Sequence, residues 1–209
     1  MQGLLLRQLR RLGLDRETPP AGCSPVVISQ VYAGGGEPSG GSTYNIDFIE
    51  LRNRSGSAVS VGGWSLQSQF PGGNTWAVLA VLSGELAPNS FALVTTGTPD
   101  GGGAPLTGDF LGGFQLATSG GKVALVPSTT PLPAPCPATG VADLVSYGPN
   151  SVVCAEGLSA PALSLTSSLT RQLAGCTDTG ANQSDFQVST TVTPRRKSSG
   201  AFNACSVCN

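Results

Sequence analysis

Asp-Phe-Ile-Glu-Leu-Arg-Asn (47–53) alternates strictly, with Phe48, Glu50 and Arg52 on one face of an extended chain and Ile49, Leu51 and Asn53 on the other. A period of two defines a strand. The Ile49 and Leu51 side is the inward one, which leaves Glu50 and Arg52 as a same-face pair toward solvent with Phe48 at its edge. Upstream, Val26 to Ala33 forms a second β-branched run that ends in Gly34-Gly35-Gly36. Downstream, further short apolar runs fall at 58–61, 63–68, 75–82, 90–95, 122–127, 142–147, 168–173 and 186–188, each bounded by Gly, Pro, Ser or Asn. Many short strands with frequent turn residues predict an all-β sandwich with long Gly/Pro-rich loops. Loops 34–44, 96–113 and 128–141 read mostly as slack connections.

Composition narrows the function. Charged residues are 11% of the 209, the net charge is -1 and there is no histidine. Absence of His disfavours Ser-His and Cys-His catalysis and the commonest side-chain metal ligation. The near-zero net charge gives no general attraction to phosphate or anionic lipid. Residues 1–22 read as a leader or disordered basic segment: Leu4, Leu5, Leu9 and Leu12 recur at helical spacing beside Arg7, Arg10, Arg11 and Arg16, without a signal-peptide apolar core. Residues 23–209 read as one domain. No run approaches the roughly 18 apolar residues needed to span a bilayer.

Six cysteines, Cys23, Cys136, Cys154, Cys176, Cys205 and Cys208, point to disulfides, because no His completes a zinc pattern and only Cys205 and Cys208 form a C-x-x-C. Proximity pairs Cys136 with Cys154. Cys176 then takes Cys205 or Cys208, and Cys23 the other. Stable bridges imply an extracellular or cell-surface location.

Several stretches together carry a resemblance: Val26 to Gly36, Asp47 to Asn53, Val-Gly-Gly-Trp-Ser-Leu-Gln (61–67), Gly-Lys-Val-Ala-Leu-Val (121–126), Val-Ala-Asp-Leu-Val-Ser-Tyr-Gly (141–148), Gly-Cys-Thr-Asp-Thr (175–179) and Asn-Gln-Ser-Asp-Phe (182–186). The chain resembles the lamin tail domain in its bacterial extracellular form over roughly residues 24–208. That resemblance implies an immunoglobulin-like β-sandwich acting as a module, with any catalysis in separate domains.

The candidate sites each have a bland and a functional reading. Asp47 and Glu50 lie three residues apart on a strand, face opposite ways and cannot form a carboxylate dyad. Asp178, Asn182 and Asp185 supply hard oxygens suited to calcium, yet their spacing is not that of an EF-hand and the same residues form turns. Arg195, Arg196 and Lys197 are the one basic run of the body, either a solvated surface or a contact for an anion or nucleic acid. Trp64, Trp76 and most phenylalanines belong to strands and hence to the core. Phe70, before Pro71-Gly72-Gly73-Asn74, belongs at an exposed hairpin tip.

These features favour a non-catalytic secreted module that binds a protein or an envelope or matrix polymer, with no cofactor unless calcium. Two alternatives stay open: an accessory domain guiding a separate nuclease or phosphatase to nucleic acid, and a surface protein that self-associates through sheet edges.

Overall fold

A computed structural model describes residues 24–38, 40–133, 136–137, 139–149 and 154–205. The leader 1–22, Cys23 and Cys208 lie outside these residues.

Twelve strands occur among the described residues: β1 Val26–Tyr32, β2 Asp47–Asn53, β3 Val59–Ser60, β4 Ser65–Gln69, β5 Ala77–Val81, β6 Glu85–Leu86, β7 Phe91–Thr96, β8 Phe110–Gly112, β9 Gly121–Val126, β10 Asp143–Tyr147, β11 Ser168–Arg171 and β12 Phe186–Ser189. They form a six-stranded sheet in the order β12-β11-β1-β2-β7-β8, a four-stranded sheet β10-β9-β4-β5 and the small pair β3-β6. Every pairing is antiparallel except β7 with β8. Strand β2 sits between β1 and β7, with Leu51 opposite Ile28 and Ala92.

The core lies between the two large sheets. Ile28, Ile49, Leu51, Val94 and Leu169 from one meet Leu66, Leu79, Val123, Leu125 and Val145 from the other, all buried. Each such side chain contributes about 1.5–3 kcal/mol by leaving water. The predicted alternation therefore holds for the inward face of β2.

The outward face departs from expectation. Glu50 and Arg52 are 0% and 1% exposed rather than solvated. The C-terminal segment after β12 crosses this face as a strap. Val192 packs with Tyr32, Phe48 and Leu93 in a second apolar cluster, and the Tyr44 hydroxyl donates to Val192 O at 3.2 Å. Phe48 is thus fully buried beneath the strap, stacked on Tyr32 at 5.3 Å, instead of sitting at an edge.

The loops read as slack are packed. Residues 96–113 include β8. Residues 128–141 fold over the four-stranded sheet: Gln67 Nε2 donates to Thr130 O and Leu132 N–H donates to Gln67 Oε1, both at 2.9 Å, beside a cluster of Trp76, Ala124, Val126 and Leu144. Gly35 runs against the backbone of Ile46, where a Cβ would fall 2.0 Å from the Ile46 carbonyl carbon.

Two disulfides are described. Cys136 bonds Cys154 with Cα atoms 4.9 Å apart, as sequence proximity predicts, and Cys176 bonds Cys205 at 5.3 Å, selecting one of the two open pairings. The second ties the strap's end to the chain just beyond β11. Among the described residues no helix is long and apolar enough to cross a membrane.

Candidate functional site

Ionisable side chains gather in two internal clusters, and the candidate residues distribute between them. The first lies under the strap. Glu50 accepts from Ser29 Oγ at 2.5 Å, and the Arg195 guanidinium grips its carboxylate with Nη2 at 2.7 Å and Nε at 3.0 Å, while Arg195 N–H adds a further bond at 2.7 Å. Such a forked, charge-assisted contact is the strong form of an ion pair. Arg195 also lies 3.7 Å from the Phe91 ring centroid and 5.5 Å from that of Phe202. Arg52 is not Glu50's partner in this cluster. Its guanidinium donates to the carbonyls of Ala174 and Asn203, tying the strap to the chain beyond β11.

The basic run is therefore dispersed. Arg195 is committed to Glu50. Lys197 is exposed with its ammonium 4.6 Å from the Phe110 ring, and its N–H donates to Asp109 Oδ2 at 3.0 Å. Arg196 is half-buried and has no carboxylate partner among the described residues. A site for phosphate built from all three side chains is not assembled.

The second cluster lies between β10, β11 and the turns after them. Arg171 is fully buried, with Nη2 at 2.6 and 2.8 Å from the two Asp143 oxygens, Nε donating to Ile28 O at 2.8 Å and Nη1 to Thr177 O at 3.1 Å. Its guanidinium lies over Phe186 at 4.5 Å. Asp178 pairs with Arg54 at 2.7 Å. Asp185 accepts from the Thr179 hydroxyl at 2.7 Å and from Thr179 N–H at 3.0 Å.

Asn182 does something else again. Its Oδ1 accepts Ser146 N–H and its Nδ2 donates to Leu144 O, both at 2.8 Å, so the amide imitates a peptide group along the outer edge of β10.

Asp178 and Asp185 thus share Arg171, whose Nη1 lies 3.7 Å from an oxygen of each, while Asn182 serves the edge of β10. The three carboxylates whose oxygens lie within 4.8 Å of one another are Asp143, Glu156 and Asp178. Arg171 and Arg54 supply the countercharge there, so the geometry gives calcium no support. Burial, followed by the charges of Asp143 and Asp178, pushes the Glu156 carboxyl up to about 7.

Asp47 is the remaining buried acid among the described residues. Its oxygens accept Gly35 N–H at 2.7 Å and Leu116 N–H at 2.8 Å, fastening two loops to the start of β2. Burial raises it to about 7 against the opposing pull of those two N–H groups. Asp47 and Glu50 have separate partners, in keeping with their opposite facing.

Phe70 lies at the β4–β5 hairpin tip, 54% exposed, with its ring 5.7 Å from Phe114. The Glu50–Arg195 and Asp143–Arg171 contacts join residues 145 and 28 positions apart and are not legible in the sequence. The one local signal was a set of charges placed in otherwise apolar strands.

Two packed sheets around an apolar core, together with the disulfides, define an immunoglobulin-like β-sandwich module. The chain belongs to the lamin tail domain family, whose model matches residues 19–148. That match ends just after β10, yet β11 pairs directly with β1, so the later strands complete the same sheet. Among solved structures, a DUF4876 family protein from Bacteroides thetaiotaomicron VPI-5482 is similar at 14% identity and a TM-score of 0.51, over 78% of this chain and 70% of that one. This likeness shows the fold alone. No curated protein matches the sequence.

Proposed function

We propose that this domain is a non-catalytic, exported binding module that holds a protein or an envelope or matrix polymer through an uncharged surface. The observation that carries the reading is where the charges go. Asp47, Glu50, Arg52, Arg54, Lys122, Asp143, Arg171 and Asp185 are all buried, and among the described residues only Glu85, Asp100 and Lys197 are charged and exposed, with Glu37, Asp109, Glu156, Asp178, Arg195 and Arg196 half-buried. Acid–base chemistry needs a titratable group within reach of a substrate, and here the buried carboxylates are held by guanidinium or backbone partners. Recognition then falls to loops and neutral edges, where binding residues commonly sit. The two disulfides favour an oxidising compartment.

The test combines turnover and retention on the oxidised chain. The reading predicts no hydrolysis of phosphate esters or nucleic acid, no salt-dependent DNA retention, and co-sedimentation with an insoluble envelope or matrix polymer or a stable complex with a purified surface protein. Turnover lost on replacing a buried carboxylate, or DNA retention lost in an Arg196→Ala/Lys197→Ala chain, would overturn it and favour the nucleic-acid accessory role.

A further inference from the structure

A sheet edge carries unpaired N–H and C=O groups and invites another strand unless it is covered or guarded. Two edges are covered here. Beyond β10, Ala160 exchanges backbone bonds with the strand (Ala160 N–H to Ser146 O, 2.8 Å; Gly148 N–H to Ala160 O, 2.9 Å), and Asn182 fills the positions next to them. Beyond β5, Gly113 N–H donates to Leu79 O at 2.8 Å. The edge at β8 is only three residues long, with Lys197 against Phe110.

The edge at β12 is closed only at its start, where Phe186 N–H donates to Asn182 O. Among the described residues no other backbone bond reaches Gln187 to Ser189 from outside the β11 pairing. The stretch Phe186-Gln187-Val188-Ser189-Thr190 holds no charge and no proline. Gln187, Val188 and Thr190 are exposed.

Two further apolar side chains stand at the same end. Gln183 N–H donates to Leu158 O at 2.9 Å and Gln172 Nε2 to Ser184 O at 2.8 Å, which brings Leu158 and Leu173 to either side of the turn leading into β12. Leu158, Leu173 and Val188 are 64%, 77% and 43% exposed, three of the seven exposed large hydrophobics among the described residues. Leu173 and Ala174 are held at φ 50 and 54, left-handed values that cost non-glycine residues roughly 1–2 kcal/mol each. Arg52 bonding to Ala174 O and the Cys176–Cys205 bridge hold the turn in that form.

We propose that β12 is a homotypic docking edge, pairing antiparallel with β12 of a second copy to join two six-stranded sheets about a two-fold axis. The edge is self-complementary: centred on Val188, the pairing sets Val188 against itself, Gln187 against Ser189 and Phe186 against Thr190. An isologous contact needs this property, and an uncharged stretch meets its own copy without repulsion. A strand of four residues spans about 14 Å, so the contact is smaller than a standard interface of about 800 Å² per partner and belongs with weak, reversible ones. The inference goes beyond the proposed function and fails separately from it, since a monomer could still bind a polymer.

Sedimentation of the oxidised chain from about 5 μM to 1 mM tests it. A rise toward the dimer mass is expected, abolished by Val188→Lys with the denaturation midpoint unchanged and retained by Leu111→Lys, a more exposed position on β8. A Val188→Cys chain is expected to cross-link to dimer under mild oxidation, which also covers the case in which the Lys variant folds poorly. A monomer throughout, a dimer indifferent to Val188→Lys, or a Val188→Cys chain that stays monomeric on oxidation would each overturn the proposal.

Discussion

Asn53 shows how much one polar side chain can organise in this fold. Its Nδ2 donates to the carbonyls of Ser57, Leu86 and Ala87 at 2.8–3.0 Å and its Oδ1 accepts Ser55 N–H at 3.0 Å, so one amide holds two loops. Asn53→Ala strands these buried groups and should lower unfolding free energy by about 2–4 kcal/mol, measured by urea denaturation.

Asp47 and Glu156 make a pH prediction. Both hold a proton in the folded chain up to about pH 7 where their ordinary values are 3.8 and 4.5. The fold binds more protons than the unfolded chain across that interval, so stability falls as pH rises through it and levels off above about 7. The denaturation midpoint should be higher at pH 5 than at pH 8, and Asp47→Asn should flatten the difference. A higher midpoint at pH 8 would contradict the assignment.

At the scale of elements, the strands were legible because a half-buried sheet writes its period into the sequence: β2 and β9 fall within a residue of their expected bounds. Less legible were short pieces set by neighbours, such as β6 and β8, which have two and three residues and no period of their own. The same holds for the outward face of β2. Glu50 and Arg52 look like solvent-facing residues in any local window, and only Arg195, 145 residues away, shows that the face is covered. Arg195 accordingly read as one of a basic run. The Cys176–Cys205 bridge closes this strap over a separation of 29 residues. Loop-closure entropy puts its contribution at roughly 3–4 kcal/mol, so replacing both cysteines with Ala should reduce stability by about that amount and speed proteolysis between residues 190 and 205.

At the scale of the whole molecule, the sandwich uses its few charges as internal fasteners and leaves a nearly neutral exterior. Neutralising Glu85 or Asp100, both exposed, should change stability by less than about 0.5 kcal/mol, whereas Arg171→Leu should cost about 3–5 kcal/mol by stranding Asp143. Little of this division could be read from composition, which records that charges are scarce and not where folding puts them.

A double-mutant cycle on Glu50 and Arg195, with Glu50→Gln, Arg195→Met and the pair measured by denaturation, tests most directly that these charges serve the fold. The expected result is a coupling energy of about 1–3 kcal/mol and release of the strap in each single variant. A coupling near zero, with the strap still protected from proteolysis, would contradict it.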